Sequence, residues 1–263
     1  MKVIASLTTI PQRIDKIKGT LLSLLAQSHP IDHIEINVPY RCVRTNEDYV
    51  IPAWLTEMPK VEIHRTEDYG AITKISPTLI RHMGDSDSYI WSVDDDHNYQ
   101  PDTLAGLVKL ATQFPHDIIA YNVNDFAVYI RHRSVNDRRK RSLLGIILRR
   151  HVPPPQIPQN DESNHFQFFE GFQTVLYPPH IIDTDFADYI QKTATSMDCR
   201  KSDDMVLSYY FRKRCRFIKA PAHRSNAMYA YGRDAQALHL QDNGHRVRYQ
   251  RVVNWLRANC PIN

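Results

Sequence analysis

Three aspartates in a row, Asp94-Asp95-Asp96, follow directly on the apolar run Tyr89-Ile90-Trp91-Ser92-Val93. Adjacent carboxylates repel one another, and keeping all three ionised in a cleft costs free energy unless a cation compensates. A hard divalent metal with oxygen ligands supplies that compensation and leaves coordination positions open for substrate phosphates. The competing account is a solvated acidic turn capping the next helix, and three carboxylates at the end of a buried strand make it the weaker one. A second acidic pair, Asp203-Asp204, opens a later helical pattern. Helix capping and the helix dipole would account for Asp203 alone.

These groups need a frame that brings them together. Val3 to Leu7 is a β-branched and aliphatic run that predicts a buried strand. Pro11 then opens a helical pattern carried by Ile14, Ile17, Leu21, Leu24 and Leu25. Strands are predicted at His33 to Val38, stopping at Pro39, at Val61 to His64, at Tyr89 to Val93 and at Asp117 to Tyr121. Between them Ile75 to His82 is helical, and Pro101 sits at a first helical position before the apolar face Leu104, Leu107, Val108 and Ala111. Strand and helix alternate, which predicts an α/β fold with an open, mostly parallel sheet flanked by helices. Ligands bind such sheets at the carboxyl ends of the strands, and Asp94 to Asp96 lie at one.

The alternation stops between about Ser134 and Asn164. A basic stretch (Arg131, Arg133, Arg138 to Arg141, Arg149 and Arg150) runs into Val152-Pro153-Pro154-Pro155 and then a polar run, Gln159 to Ser163. A segment of that length without a regular element is a functional lid or disordered. Its centre, Leu143 to Leu148, is apolar between basic flanks, which fits either peripheral membrane contact through 131–150 or a short helix packed on its own protein. Pattern returns at Phe166 to Tyr177. A helix from Asp203 buries Met205, Val206, Tyr209 and Tyr210, and a basic amphipathic helix over His245 to Ala258 carries Val247, Val252, Val253 and Leu256 on its apolar stripe.

A hydrophobic strand ending in Asp-x-Asp resembles the metal and nucleotide-sugar motif of GT-A glycosyltransferases. Ser6-Leu7-Thr8-Thr9-Ile10-Pro11-Gln12-Arg13 resembles the first nucleotide-binding loop of a family-2-like branch, and Asp68-Tyr69-Gly70-Ala71-Ile72-Thr73-Lys74 its Asp-x-Gly-Pro-x-x-Lys segment, with Ala71 in place of proline. The short glycosyltransferases of large algal viruses and related bacterial enzymes are the members it looks most like. The resemblance implies a GT-A (Rossmann-like) fold over 1–263, with a nucleotide-sugar half at 1–125, a flexible basic and proline-rich loop at 134–164, and an acceptor half at 165–263. By the same resemblance Thr8 and Thr9 sit against the nucleoside, Asp68 lies near the nucleoside or donor, and Gly70 belongs to the donor site. Arg13 reaches the base or pyrophosphate unless it is an ordinary exposed helix residue. Lys74 offers a charge to the pyrophosphate or the donor sugar. Asp94 and Asp95 approach the ribose and sugar, while Asp96, with Asp94, binds Mn²⁺ or Mg²⁺. A last metal ligand is implied at His239, with His223 and His245 as rivals.

Further implications concern the acceptor. Asp204, with Asp203 in reserve, becomes the general base of an inverting transfer, which requires a carboxylate within hydrogen-bond reach of the acceptor hydroxyl. Glu170 and Phe172 contact the acceptor, and Gly171 permits close approach to the donor unless that stretch is an ordinary bend. The implied activity moves a sugar, UDP-linked by family habit, to a glycan or glycoprotein hydroxyl.

Composition limits the rivals. Of 263 residues 42% are hydrophobic and 24% charged, ordinary values for a globular chain with a sizeable core. No apolar run is long enough to cross a bilayer, and the run at the N-terminus is too short for a signal peptide, so a cytoplasmic setting is expected. The four scattered cysteines predict free thiols. A nucleotidyltransferase would want glycines after the first strand, where Thr8-Thr9-Ile10-Pro11 has none. A non-catalytic binding module fits poorly with an intact acidic cluster, and the basic stretch lacks the interleaved aromatics of a nucleic-acid binder. A glycoside hydrolase would need two carboxylates but no metal cluster.

Overall fold

The computed structural model describes residues 1–131, 165–171, 174–221, 227–229 and 245–261. Phe172, His223, His239 and the 134–164 segment lie outside the described residues, as does all but the first position of the basic 131–150 stretch.

Seven strands form the central sheet: β1 (Lys2–Leu7), β2 (His33–Pro39), β3 (Val61–Thr66), β4 (Ser88–Ser92), β5 (Ile118–Ala120), β6 (Val175–Tyr177) and β7 (Phe217–Lys219). Their order is β7-β5-β6-β4-β1-β2-β3. Every neighbouring pair is parallel except the two that involve β6, which runs antiparallel between β4 and β5. The inner strands β1, β4, β5 and β6 are mostly apolar on both faces because helices cover both, whereas β2 and β3 carry His33, Glu35, Asn37, Glu62 and His64 on one face. Alternation along each strand divides the core in two. Ile4, Ile90, Ile118 and Val175 face one cluster, while Val3, Ala5, Trp91 and Leu176 face the other.

The second cluster is closed by α1 (Lys18–Leu25) and α3 (Thr103–Ala111), through Leu21, Leu24, Leu104 and Leu107. The first is closed by α2 (Ser76–Arg81), α4 (Phe186–Thr193), α5 (Asp203–Phe211) and α6 (His245–Asn259). This is the mostly parallel, helix-flanked α/β architecture that the alternation predicts. Among the described residues no helix is long and apolar enough to cross a membrane, and all four cysteines are free.

Three local expectations shift. The helical pattern from Pro11 becomes turns up to Ile17, and the regular helix begins at Lys18. The Arg13 side chain is drawn inward to an acidic partner, which sets the path of that first stretch. Pro101 precedes its helix rather than opening it, since the Gln27 side chain accepts the Leu104 N–H at 3.0 Å and provides the cap from another element. Val247 is 55% exposed, so the apolar stripe of α6 is Tyr249, Val252, Val253 and Leu256.

Candidate active site

Ser6 of β1 pairs in parallel register with Ser92 of β4. The loop after β1 and the acidic turn after β4 therefore leave the sheet side by side, at its carboxyl edge. They form one wall of a cleft of about 700 Å³.

Asp95 is the inward member of the triplet, 8% exposed. It accepts hydrogen bonds from Thr9 Oγ1 at 2.7 Å and Arg13 Nη1 at 3.0 Å, and its main-chain oxygen accepts from Thr20 Oγ1 at 2.8 Å. Burial pushes its carboxyl up to about 6, against the pull of Arg13. Arg13 is thus a buried brace of the acidic turn and not an exposed helix residue. Asp94 donates its main-chain N–H to the Tyr99 hydroxyl at 2.7 Å, and its carboxylate accepts from Lys74 Nζ at 2.9 Å. Asp96 accepts from His97 Nδ1 at 2.8 Å and lies 3.5 Å from Arg13 Nη1. Burial works to raise its carboxyl, but His97 and Arg13 together bring it below the usual range.

The charge balance differs from the sequence expectation. Lys74 and Arg13 already offset much of the triplet's repulsion, so a metal is not the sole possible compensation. The donor chemistry nevertheless fits one. Asp94, Asp96 and His97 present two carboxylate oxygens and an imidazole nitrogen, all within 4.8 Å of one another. That mixture suits manganese. His97 is the nearest ligand to the turn that sequence reasoning passed over, although it directly follows the triplet.

Lys74 joins this wall to the next. It ends the short helical turn Gly70–Lys74, and its Nζ lies 2.7 Å from Asp203 Oδ2 as well as 2.9 Å from Asp94. Burial would lower its pKa, yet the charges of Asp203, Asp94 and Asp204 raise it well above the ordinary lysine value. Asp203 and Asp204 open α5, but neither makes a side-chain cap there. Capping therefore does not explain the pair. Asp204 accepts the Gly171 N–H at 2.8 Å and the Tyr249 hydroxyl at 3.3 Å. Burial, reinforced by the charge of Asp203, pushes its carboxyl well above the usual range.

Gly171 has a steric reason to be glycine. A Cβ there would meet Asp204 Oδ1 at 2.8 Å and Lys74 Nζ at 3.2 Å. Next to it, Glu170 accepts from Asn122 and, at 3.0 Å, from Asn124, and burial raises its carboxyl too.

On the far wall Asp68 accepts the N–H groups of Val43 and Gly70, both at 2.7 Å, and Arg200 Nη2 at 2.8 Å. Thr8 Oγ1 donates to the Asn37 carbonyl at 2.7 Å. The sequence-derived candidates whose side chains are described all line this cleft, except Gly171, which reaches it through Asp204; the His245 side chain lies outside the described residues. Arg200, Arg248 and Tyr249 also line it. No local pattern marks those three, since they arrive from late helices.

No protein-family model matches the sequence, and no curated protein is significantly similar to it. Solved structures do resemble it at low identity. One is S. aureus TarS 1–349 in complex with UDP-GlcNAc, at 14% identity and a TM-score of 0.49, covering 100% of this chain and 68% of that one. Another is 4-diphosphocytidyl-2C-methyl-D-erythritol synthase, at 12% and 0.47, covering 94% and 99%. A third is the mannosyltransferase PcManGT from Pyrobaculum calidifontis in complex with GDP-Man and Mn²⁺, at 16% and 0.41, covering 84% and 54%. One of the three is named a mannosyltransferase and another holds UDP-GlcNAc, but TM-scores below 0.5 carry no functional weight. The algal-virus resemblance rests on the sequence motifs alone.

Proposed function

We propose that this chain is a divalent-metal-dependent glycosyltransferase, moving a sugar from a nucleotide-sugar donor, preferentially UDP-linked, to a hydroxyl of a glycan or glycoprotein with inversion. One observation carries the proposal. The acidic turn at Asp94–Asp96 and the Asp203-Asp204 pair, from distant parts of the chain, meet in one cleft with Lys74 bonded to both.

In this reading Thr8, Asp68 and Gly70 flank the nucleoside, and Thr9 and Arg13 hold the acidic turn through Asp95. Asp94, Asp96 and His97 would hold Mn²⁺ or Mg²⁺, which when bound neutralises charge on the leaving diphosphate. Lys74, kept charged by its carboxylate neighbours, adds a fixed positive charge beside that group. Asp203 is occupied by Lys74 and serves to hold it, which leaves Asp204 as the base. Gly171 and Tyr249 orient the Asp204 carboxylate. As the acceptor oxygen bonds to the anomeric carbon, its proton passes to Asp204, and the carbon–oxygen bond to the diphosphate breaks with its electron pair leaving on phosphate. A carboxylate with a raised pKa is the stronger proton acceptor. Glu170 and Phe172 would face the acceptor.

The test is release of nucleoside diphosphate from a panel of nucleotide sugars, with manganese and with chelator. Slow metal-dependent hydrolysis of one donor is expected, lost in Asp96→Ala. Full activity in Asp96→Ala, or no turnover of any sugar nucleotide, overturns the proposal.

A further inference from the structure

A second cluster of metal-binding side chains lies away from the cleft, towards the amino-terminal ends of β2 and β3. Residues 33, 35 and 37 of β2 share one face by strand alternation, and the register Glu35↔Glu62 and Asn37↔His64 brings β3 side chains beside them. His82, just past the end of α2, reaches the same point. Glu35 Oε1 lies 3.3 Å from His33 Nε2 and 2.6 Å from His82 Nε2. A tetrahedral zinc ion with bonds of about 2.0–2.1 Å holds its ligand atoms roughly 3.3 Å apart; the His33–Glu35 distance matches that spacing, and the shorter His82–Glu35 hydrogen bond would have to open to admit the ion. They lie within 4.8 Å of one another, and Glu35, Glu62 and His64 form an overlapping triad under the same limit.

Two further observations point to a ligand here. His64 Nε2 is buried without a hydrogen-bond partner among the described residues, its nearest acidic oxygen being that of Glu62 at 3.5 Å. The other oxygen of Glu35 is fixed from behind by Arg81, whose Nε lies 3.1 Å away and whose Nη2 also reaches Asn37 Oδ1 at 2.8 Å and Thr78 Oγ1 at 3.0 Å. Outer hydrogen bonds of that kind orient a metal-ligating carboxylate.

We propose that His33, Glu35 and His82 form a structural zinc site, beside which His64 shares only Glu35 and Glu62. Two imidazoles with one carboxylate favour zinc over the oxygen-seeking magnesium and calcium. The ion would fasten the end of α2 to β2. The same helix is tied to the cleft, since Ser6 Oγ donates to the Lys74 carbonyl at 2.6 Å and lies within hydrogen-bond distance of Thr78 Oγ1 at 2.8 Å. The site thus buttresses the turn that carries Lys74, and it does not depend on the activity proposed above.

The experiment is zinc titration of chelator-stripped protein, followed by calorimetry and thermal melting, in the wild type, Asp96→Ala and the double variant His33→Gln/His82→Gln. Glutamine keeps a donor for Glu35. Asp96→Ala is expected to retain one equivalent of zinc, and the double variant to bind one equivalent fewer than the wild type. At about a hundredfold excess over Kd, zinc should raise the Tm of the wild type and of Asp96→Ala by roughly 5–10 °C, and leave the double variant unmoved. Equal uptake and equal shifts in all three proteins overturn the proposal. If the double variant does not fold, X-ray absorption of zinc-loaded Asp96→Ala decides it. At least two imidazole nitrogens in the coordination shell support the site, and fewer overturn it.

Discussion

Asp204 and Lys74 show how one arrangement sets two opposite demands on ionisation. Burial disfavours charge on both, but Lys74 faces three carboxylates and stays cationic, whereas Asp204 has Asp203 beside it and holds its proton more readily. A base must be unprotonated to act, so transfer activity is expected to rise with pH through a pKa above the ordinary carboxylate range. Asp204→Asn keeps the shape and removes the base. It should cut kcat by roughly 10²–10⁴-fold while donor binding, followed by calorimetry, is preserved. If Asp203→Asn produces that kcat loss and Asp204→Asn does not, the roles of the two are exchanged. Gly171→Ala tests the same contact sterically, because its methyl would stand 2.8 Å from the Asp204 oxygen. Loss of kcat with little change in Tm is expected; unchanged kinetics would show that the approach can relax.

Among the elements, the turn Gly70–Lys74 is the most constrained. Gly70 has φ +85°, and a Cβ there would lie 2.2 Å from the Arg200 carbonyl oxygen. Gly70→Ala should therefore destabilise by about 1–3 kcal/mol and displace Lys74, with loss of activity exceeding the loss of fold. An unaltered Tm would count against that tight packing. This turn also marks what a linear reading can reach. Asp94 to Asp96 were legible because strand, abrupt end and carboxylates are contiguous. Asp203-Asp204 were legible as a helix start. Their meeting through Lys74 was not, since it depends on β1, β4 and α5 converging at one edge. The Arg200–Asp68 pair spans 132 residues and Arg13–Asp95 spans 82, separations no local period encodes. Arg13 illustrates the consequence: helical spacing offered an exposed residue, while the acidic turn behind it supplied reason to bury it. His33, Glu35 and His82 stayed invisible for the same cause, a strand and a helix end meeting across the edge of the sheet.

For the molecule as a whole, the cleft costs stability at the pH where it would work. Asp95, Asp204 and Glu170 are each shifted upward, all by burial first. A carboxyl whose folded pKa lies above its unfolded value favours the fold below the unfolded pKa and withdraws that support as pH rises through the folded one. For Asp95 that window runs from the ordinary carboxylate range up to about 6. His97, raised because Asp96, Asp94 and its own hydrogen bond outweigh burial, acts in the same direction at higher pH. Glu35 opposes them. Burial would raise it, but His33, His82 and Arg81 hold it far below the usual range, so its contribution is full above the ordinary carboxylate range and is lost progressively as pH falls below it. The Tm of the metal-free protein should accordingly peak in mild acid and fall towards neutral and alkaline pH. Asp204→Asn removes one ionisation from the buried edge, so its Tm should exceed that of the wild type at alkaline pH and converge with it in mild acid, even though the variant is inactive. Parallel Tm curves for the two proteins across that range would mean that the Asp204 carboxyl titrates alike in the folded and unfolded chain, and the case for it as a strengthened base would go with it.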